Sequence, residues 1–414
     1  MIGRAALIVL AVSAAPAAAE PLRLRADALT GTPSPVGLLV LDGDADASEW
    51  LSAEGLVWIG AGAGIGDRAD PGGGGEGDAL VIALRARGLA GRAEARLGRI
   101  IVVTGALRPL HVDGTAARVR LPRRIDVELF AGIPVAPGVA ARGWDWAVGG
   151  RVARRIGDWG GAGVALLERR DRGRLAVREV GLDGGLAIGR HDLAAKVALD
   201  AIDGGAPAPA LAEASFATRR GALRGELYGV YRSSAHLVPA TSLFSVLGDV
   251  ASAHGGARAS WRAAPRLDVS GDAGARVIDG AAAEQLSARA TLRLDDRGRG
   301  AVIAELRRSG AGAGYDARAG AGQGTSAPGD GGWSGARIAT RVPAAGAVTV
   351  SGELELVMPD QAGDRGAVWP WAMAAAAWSR GLWDVAVAIE ASASPEERGR
   401  VDVLGRIGRR WEAP

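Results

Sequence analysis

Between residues 286 and 295 the apolar side chains Leu286, Ala288, Ala290, Leu292 and Leu294 alternate with Ser287, Arg289, Thr291, Arg293 and Asp295. The same rhythm recurs over 267–277, where Leu267, Val269, Ala273, Ala275 and Val277 oppose Asp268, Ser270, Asp272 and Arg276, and again over 348–356. Successive strand side chains point to opposite faces, so each segment predicts a strand with one apolar and one wetted surface. No long stretch keeps a 3.6-residue period, and the 64 glycines disfavour helix. Many such strands in series must close as a sandwich or as a barrel.

The start of the chain bears on which. Arg4, a mainly apolar run over 5–15 and the small residues Ala17, Ala18 and Ala19 before Glu20 predict a cleavable export signal over 1–19. That run is too short to span a bilayer, and no later segment offers about 18 consecutive apolar residues. The mature chain, 20–414, is expected to be one barrel domain. The sequence contains no Cys, which removes both disulfides and a thiol-linked lipid anchor. Lys and Arg total 49 against 46 Asp and Glu, with Lys196 the only lysine. The sequence pI near 9.9 therefore comes from nearly balanced charge. No basic stripe interleaves with aromatics, so nucleic acid is not an expected partner.

From Gly143 onward about sixteen strand candidates follow one another, among them 144–154, 193–201, 222–231, 257–262, 302–307, 383–391 and 401–411. Most reach the roughly 9 to 11 residues that a tilted strand needs to cross a bilayer, whereas 257–262 and 302–307 require extension at their ends. Residues 157–158, 189–192 and 264–265 predict tight turns; 233–253, 322–332 and 359–365 predict longer links. Short turns and long links alternate in outer-membrane barrels. Counting back from the C-terminus puts 394–397, 359–365 and 322–332 outside but 233–253 on the wrong side. One strand is therefore expected to be miscounted between 256 and 320, with 308–315 the ambiguous stretch.

Before Gly143 the pattern is less regular. Candidates are 51–60, 79–87, 93–103, 115–121 and 125–131, with 72–77 expected as a flexible glycine-rich loop. Residues 20–142 either complete the barrel or form in part a plug or periplasmic extension; completion is the favoured arrangement. The expected fold is all-β, a transmembrane antiparallel up-and-down barrel of about 18 strands, within a range of roughly 16 to 22.

A soluble sandwich also alternates. Here the apolar faces are rich in Ala, Gly, Leu and Val, where a soluble core wants larger packing residues. Trp144, Trp146, Trp159, Trp261, Trp369, Trp371, Trp383 and Trp411 lie near candidate strand ends, where interfacial girdles belong. The last strand sets Val401, Val403, Ile407 and Trp411 against Arg400, Asp402, Arg406 and Arg410.

That terminal strand resembles the segment that assembly machinery reads in bacterial outer-membrane proteins. The chain as a whole resembles porin-like outer-membrane β-barrels. Residues 241–249 (TSLFSVLGD) with 261–268 (WRAAPRLD) resemble uncharacterised porin-like proteins of myxobacteria. The resemblance implies a Gram-negative bacterial outer membrane as location. Outer-membrane lipid, the assembly machinery and small hydrophilic solutes would be the partners.

Groups that could carry chemistry are sparse. His191 falls in a tight turn, and His111 with Asp113 is expected as a turn pair. His236 and His254 bracket a long link with Asp249 nearby, but two imidazoles on an unconstrained loop lack fixed metal geometry. Asp42, Asp44 and Asp46 begin like a calcium loop, yet Ala47 and Ala53 stand where Gly and a bidentate Glu are wanted, so a polar loop is expected. The sequence has no Asn, which excludes a Ser–His–Asn lipase triad. Asp295–Asp296 and Glu396–Glu397 have no His close in sequence. Neither enzymatic activity, a metal site nor a cofactor is expected.

What remains is the wetted face. If the other face meets lipid, Arg224, Glu226, Arg258, Arg262, Asp268, Arg276, Arg289, Arg293, Arg307, Arg337, Arg341, Arg400 and Arg406 line the lumen. Arg outnumbers acid in this set, and charged linings set ion preference. The expectation is passive diffusion of small hydrophilic solutes with a weak anion preference. A non-conducting barrel serving structure or surface assembly is the alternative. Homo-oligomerisation stays open, because lipid-facing and subunit-facing apolar surfaces look alike in sequence.

Overall fold

The computed structural model describes residues 23–31, 36–62, 74–135, 145–201, 207–233, 251–278, 280–311, 332–360, 368–393 and 399–412. The alternating segments become β1 (Arg23–Gly31), β2 (Val36–Ser48), β3 (Leu51–Gly62), β4 (Gly74–Gly88), β5 (Ala93–Val102), β6 (Leu110–Leu121) and β7 (Ile125–Pro134). They continue as β8 (Trp146–Ile156), β9 (Gly160–Asp171), β10 (Arg174–Ile188), β11 (His191–Asp200), β12 (Ala208–Arg220), β13 (Leu223–Arg232) and β14 (Ser252–Ala264). The remainder are β15 (Leu267–Ile278), β16 (Ala281–Arg293), β17 (Ala301–Ser309), β18 (Trp333–Ala345), β19 (Val348–Pro359), β20 (Trp369–Arg380), β21 (Trp383–Ser392) and β22 (Arg400–Glu412).

Each strand pairs antiparallel with its chain neighbours in one 22-stranded sheet. β1 pairs with β22, from Arg23 opposite Glu412 to Gly31 opposite Leu404. Closure removes both sheet edges, which a bilayer would otherwise leave without hydrogen-bond partners. The fold is a closed up-and-down barrel at the top of the expected strand range. With a strand spacing of about 4.8 Å and a tilt of about 40°, a sheet of this size closes at roughly 40 Å across.

One parity of each strand carries the exposed large apolar side chains, such as Leu129, Leu227, Leu306 and Val401. The other carries most of the charged residues and nearly all the buried ones, which makes it the inner face. The strand-end aromatics divide accordingly. Trp261, Trp378 and Trp383 are exposed on the apolar side. Trp371 departs from the girdle expectation: it donates from Nε1 to Glu390 Oε1 at 2.6 Å inside the barrel. Trp369 shares that face through its place two residues earlier on β20. Trp144 lies outside the described residues.

The connections sort by end. Residues 49–50, 89–92, 122–124, 157–159, 189–190, 221–222, 265–266, 294–300, 346–347 and 381–382 join strands at the end that also holds Arg23 and Glu412. The long links 63–73, 103–109, 135–145, 233–251, 310–332 and 360–368 all join strands at the opposite end. The misplaced 233–253 link is thereby reconciled: four strands, β14 to β17, separate it from 310–332, so both share one end. Arg308 and Ser309 finish β17, so no further strand starts at 308, and 312–315 lie outside the described residues. β14 and β17 extend to cover the two segments that looked too short.

Two expectations before Gly143 are corrected. Asp42, Asp44 and Asp46 lie on β2, opposite Leu56, Glu54 and Ser52, rather than in a polar loop. Gly74 to Gly77, expected as flexible loop, begin β4 and pair with β3. In both places small or acidic residues mute the alternation, and pairing with neighbouring strands supplies what local propensity lacks.

Candidate functional site

Strand register places every one of the thirteen sequence-designated lumen residues on the inner face. Glu226 stands opposite Arg258, Arg258 opposite Asp272, Asp272 opposite Ser287 and Ser287 opposite Arg307, a single row around the wall. Because one face of the sheet holds Arg and carboxylate on adjacent strands, cross-strand ion pairs form. Arg337 binds Glu353 in a two-point clasp, Nε to Oε1 at 2.5 Å and Nη2 to Oε2 at 2.8 Å, and reaches Glu305 at 3.3 Å. Arg307 binds Glu355, and Arg293 binds Asp268. Arg262 stands 3.5 Å from Asp268, Arg258 3.1 Å from Asp272 and Arg224 3.3 Å from Glu226.

At the closing seam Arg406 reaches Asp27 at 2.9 Å, which also binds Arg25. Arg400 binds Asp402 at 2.6 Å. Arg276 sits opposite His254. Arg289 and Arg341 have no carboxylate within ion-pair range among the described residues.

The thirteen give a one-sided picture of the wall. They come from β13 to β22, whereas β1 to β3 add Asp27, Asp42, Asp44, Asp46 and Glu54, and β19 and β21 add Glu353, Glu355, Asp384 and Glu390. Along β13 to β18 Arg outnumbers acid on the inner face, whereas β19 and β21 carry only acid there. The lumen therefore has a basic sector beside an acidic one.

No local sequence signal marks the best-buried feature of the interior. The link 103–109 turns inward and lies against β8 to β12. Leu107 joins a buried cluster with Ile100, Leu110, Val112, Phe130 and Leu167, while Ala106 packs with Ala198, Ala210 and Leu211. Gly105 makes the turn at a φ of 57°, and a side chain there would strike Asp183 Oδ1 at 2.5 Å and Arg151 Cδ at 2.8 Å. Arg108 anchors the segment. Its Nε donates to Glu179 Oε1 at 2.7 Å, its backbone N–H to Glu179 Oε2 at 3.1 Å, and Nη2 stands 3.4 Å from Asp200. The Glu179 side chain is wholly shut from solvent, so one carboxylate fixes the segment through several bonds.

Below the segment, toward the short-turn end, a lumenal cavity of about 590 Å³ is lined by Gly105, Arg118, Arg151, Asp183, Lys196 and Glu213 among others. Arg151 clasps Asp183, and Lys196 binds Glu213 at 2.9 Å. Part of the cavity wall is therefore compensated charge.

The histidines take other places than the sequence suggested. His111 is no turn residue: it lies on β6, buried, with Nε2 2.7 Å from the Leu80 carbonyl, and Asp113 is bound by Arg99. His191 opens β11 and stacks on Phe216 at 5.7 Å. His254 lies on the inner face with Nε2 3.2 Å from the Tyr228 hydroxyl, which donates to Asp272 at 2.8 Å. His236 and Asp249 lie outside the described residues. Among the described residues no three His, Cys, Asp or Glu side chains are grouped to hold a metal ion.

No protein-family model and no curated protein matches the chain. Solved structures do. The chain is similar to the translocation pore of the P pilus usher PapC, with a TM-score of 0.54 at 10% identity over 96% of this chain and 99% of that one. It is also similar to the siderophore receptor PirA from Pseudomonas aeruginosa, with a TM-score of 0.61 at 8% identity over 95% of this chain and 81% of that one. The likeness is one of fold, and it gives this chain the architecture of the outer-membrane-type β-barrels.

Proposed function

We propose that this chain is a channel of the bacterial outer membrane through which small hydrophilic solutes diffuse passively, without cofactor or covalent chemistry. The observation that carries the reading is the set of Arg–carboxylate pairs on the inner face of a closed 22-stranded wall. Facing charges in rows cannot pack as a dry core, so they belong in contact with water. A barrel of this size is too wide for wall side chains to fill.

A weak anion preference follows from the basic sector along β13 to β18, where Arg289 and Arg341 lack ion-pair partners among the described residues. The preference is small because the remaining Arg side chains are largely neutralised where they stand. The inward segment narrows one side of the lumen and favours small solutes over large ones. Partners under this reading are those solutes, the surrounding lipid and the machinery that inserts the barrel.

One observation favours a second reading. The cluster around Leu107 and the Arg108–Glu179 anchor are the best-buried parts of the lumen, which suits a barrel held partly shut for a structural or surface-assembly role. Liposome swelling with sugars of increasing size separates the two. Graded uptake that falls with solute size supports diffusion; proteoliposomes that contain folded barrel yet swell no faster than empty ones support the occluded barrel.

A further inference from the structure

On the outer face at the short-turn end, Arg380, Trp383 and Arg409 stand in one row across β20, β21 and β22. The Arg409 guanidinium lies 4.8 Å from the centre of the Trp383 ring and 5.0 Å from that of Trp411. It is held by two aromatic faces and by no carboxylate among the described residues. Its Nε is closed off from solvent and has no hydrogen-bond partner. Arg380, directly opposite Trp383, is exposed and likewise has no acidic partner among the described residues. The nearest acid along β21, Asp384, points inward and is bound by Arg410 at 3.2 Å.

On the inner wall, by contrast, most guanidinium groups meet a carboxylate. Two cations on a membrane-facing surface, unmatched by the protein, call for an anion from outside it. The pair is separated by two strand spacings, about 10 Å between backbones, which suits one phosphodiester approached from both sides or two phosphates on one lipid. Guanidinium is planar and presents donors that match phosphate oxygens in pairs, and stacking on tryptophan fixes its plane beforehand. The row sits where Trp378 and Trp383 mark headgroup depth, so the anion in reach is a lipid headgroup.

We propose that Arg380 and Arg409, with Trp383 and Trp411, form a headgroup site for an anionic glycerophospholipid. Trp383 and Trp411 pack against its glycerol region while the two guanidinium groups bind phosphate. A zwitterionic headgroup fits less well, because its ammonium would face the two cations.

The test uses the refolded mature protein in vesicles of mixed phosphatidylglycerol and phosphatidylcholine, with retained lipid read by native mass spectrometry. Wild type should retain phosphatidylglycerol selectively, and R380Q/R409Q should lose about tenfold of that retention. The comparison is R154Q/R220Q. Arg154 and Arg220 carry equal charge on the outer face of the same rim without such an aromatic sandwich, and their loss should change retention little. Heat-modifiable gel migration checks that each variant is folded. Equal loss in both pairs would reduce the effect to diffuse rim charge and overturn the site. Absence of phosphatidylglycerol selectivity in wild type would overturn it without any variant.

Discussion

At the scale of single residues the lumen is governed by whether each charge has a partner. Glu179 is the clearest case, because its carboxylate is wholly buried and holds Arg108 through side chain and backbone together. Breaking a buried pair by removing one partner leaves an uncompensated charge and costs about 3 to 5 kcal/mol. E179A should therefore lower resistance to chemical unfolding by about that amount. It should also free the 103–109 segment, seen as increased open-channel noise in bilayer recordings. Wild-type stability and a quiet channel in E179A would mean that the segment is held by its apolar contacts alone. None of this could be read from the sequence. Arg108 and Glu179 stand 71 positions apart, and neither carries a local signature. His111 misled for a related reason: its neighbours suggest a turn, but a carbonyl from β4 meets its ring.

At the scale of strands, alternation was legible wherever the outer face carries Leu, Val or Ile, as along β15, β16, β19 and β22. It faded along β2, where Asp42, Asp44 and Asp46 alternate with Gly43 and Ala45, so the period was present but its apolar half was weak. Face assignment has a direct consequence on β17. Leu306 is 63% exposed on the outer face, whereas Ile303 lies on the inner one. Leu306→Arg should cost about 2 to 4 kcal/mol in refolding titrations, as for a charge placed in lipid, and Ile303→Arg should cost much less. Equal costs would mean that the faces are exchanged.

The long-link rim offers a pH prediction. Arg308 donates to Asp360 just beyond β19 and holds its carboxyl below the usual value of 3.8. A folded-state pKa below the unfolded one stabilises above the unfolded pKa and is lost as pH falls through the folded value. The contact should thus persist at pH 5 and fail only under stronger acid than 3.8. Selective ¹³C-Asp NMR of the folded barrel, with D360N to assign the carboxyl signal, checks this. A midpoint at or above 3.8 would contradict it.

For the whole molecule, the barrel class was read from an expected export signal, alternation and tryptophan placement. The strand number followed only as a range that includes the observed 22, and the balance of lumenal charge did not follow, because both depend on the irregular N-terminal third. β1 and β2 complete the wall and bring Asp27, Asp42, Asp44 and Asp46, and β19 and β21 add Glu353, Glu355, Asp384 and Glu390, which is why the thirteen designated residues looked more basic than the lumen is. A reversal potential under a salt gradient should accordingly show only a small excess of anion over cation permeability, rising at low ionic strength as screening weakens. Cation preference at every salt concentration would remove the role assigned to Arg289 and Arg341.

The central claim, an open water-filled lumen within a 22-stranded wall, is tested most directly by single-channel conductance of the refolded mature protein in a planar bilayer. Stable, ohmic steps of uniform size are the predicted result. Insertion of folded protein without conductance would contradict an open lumen and leave the inward segment as part of a closed structural barrel.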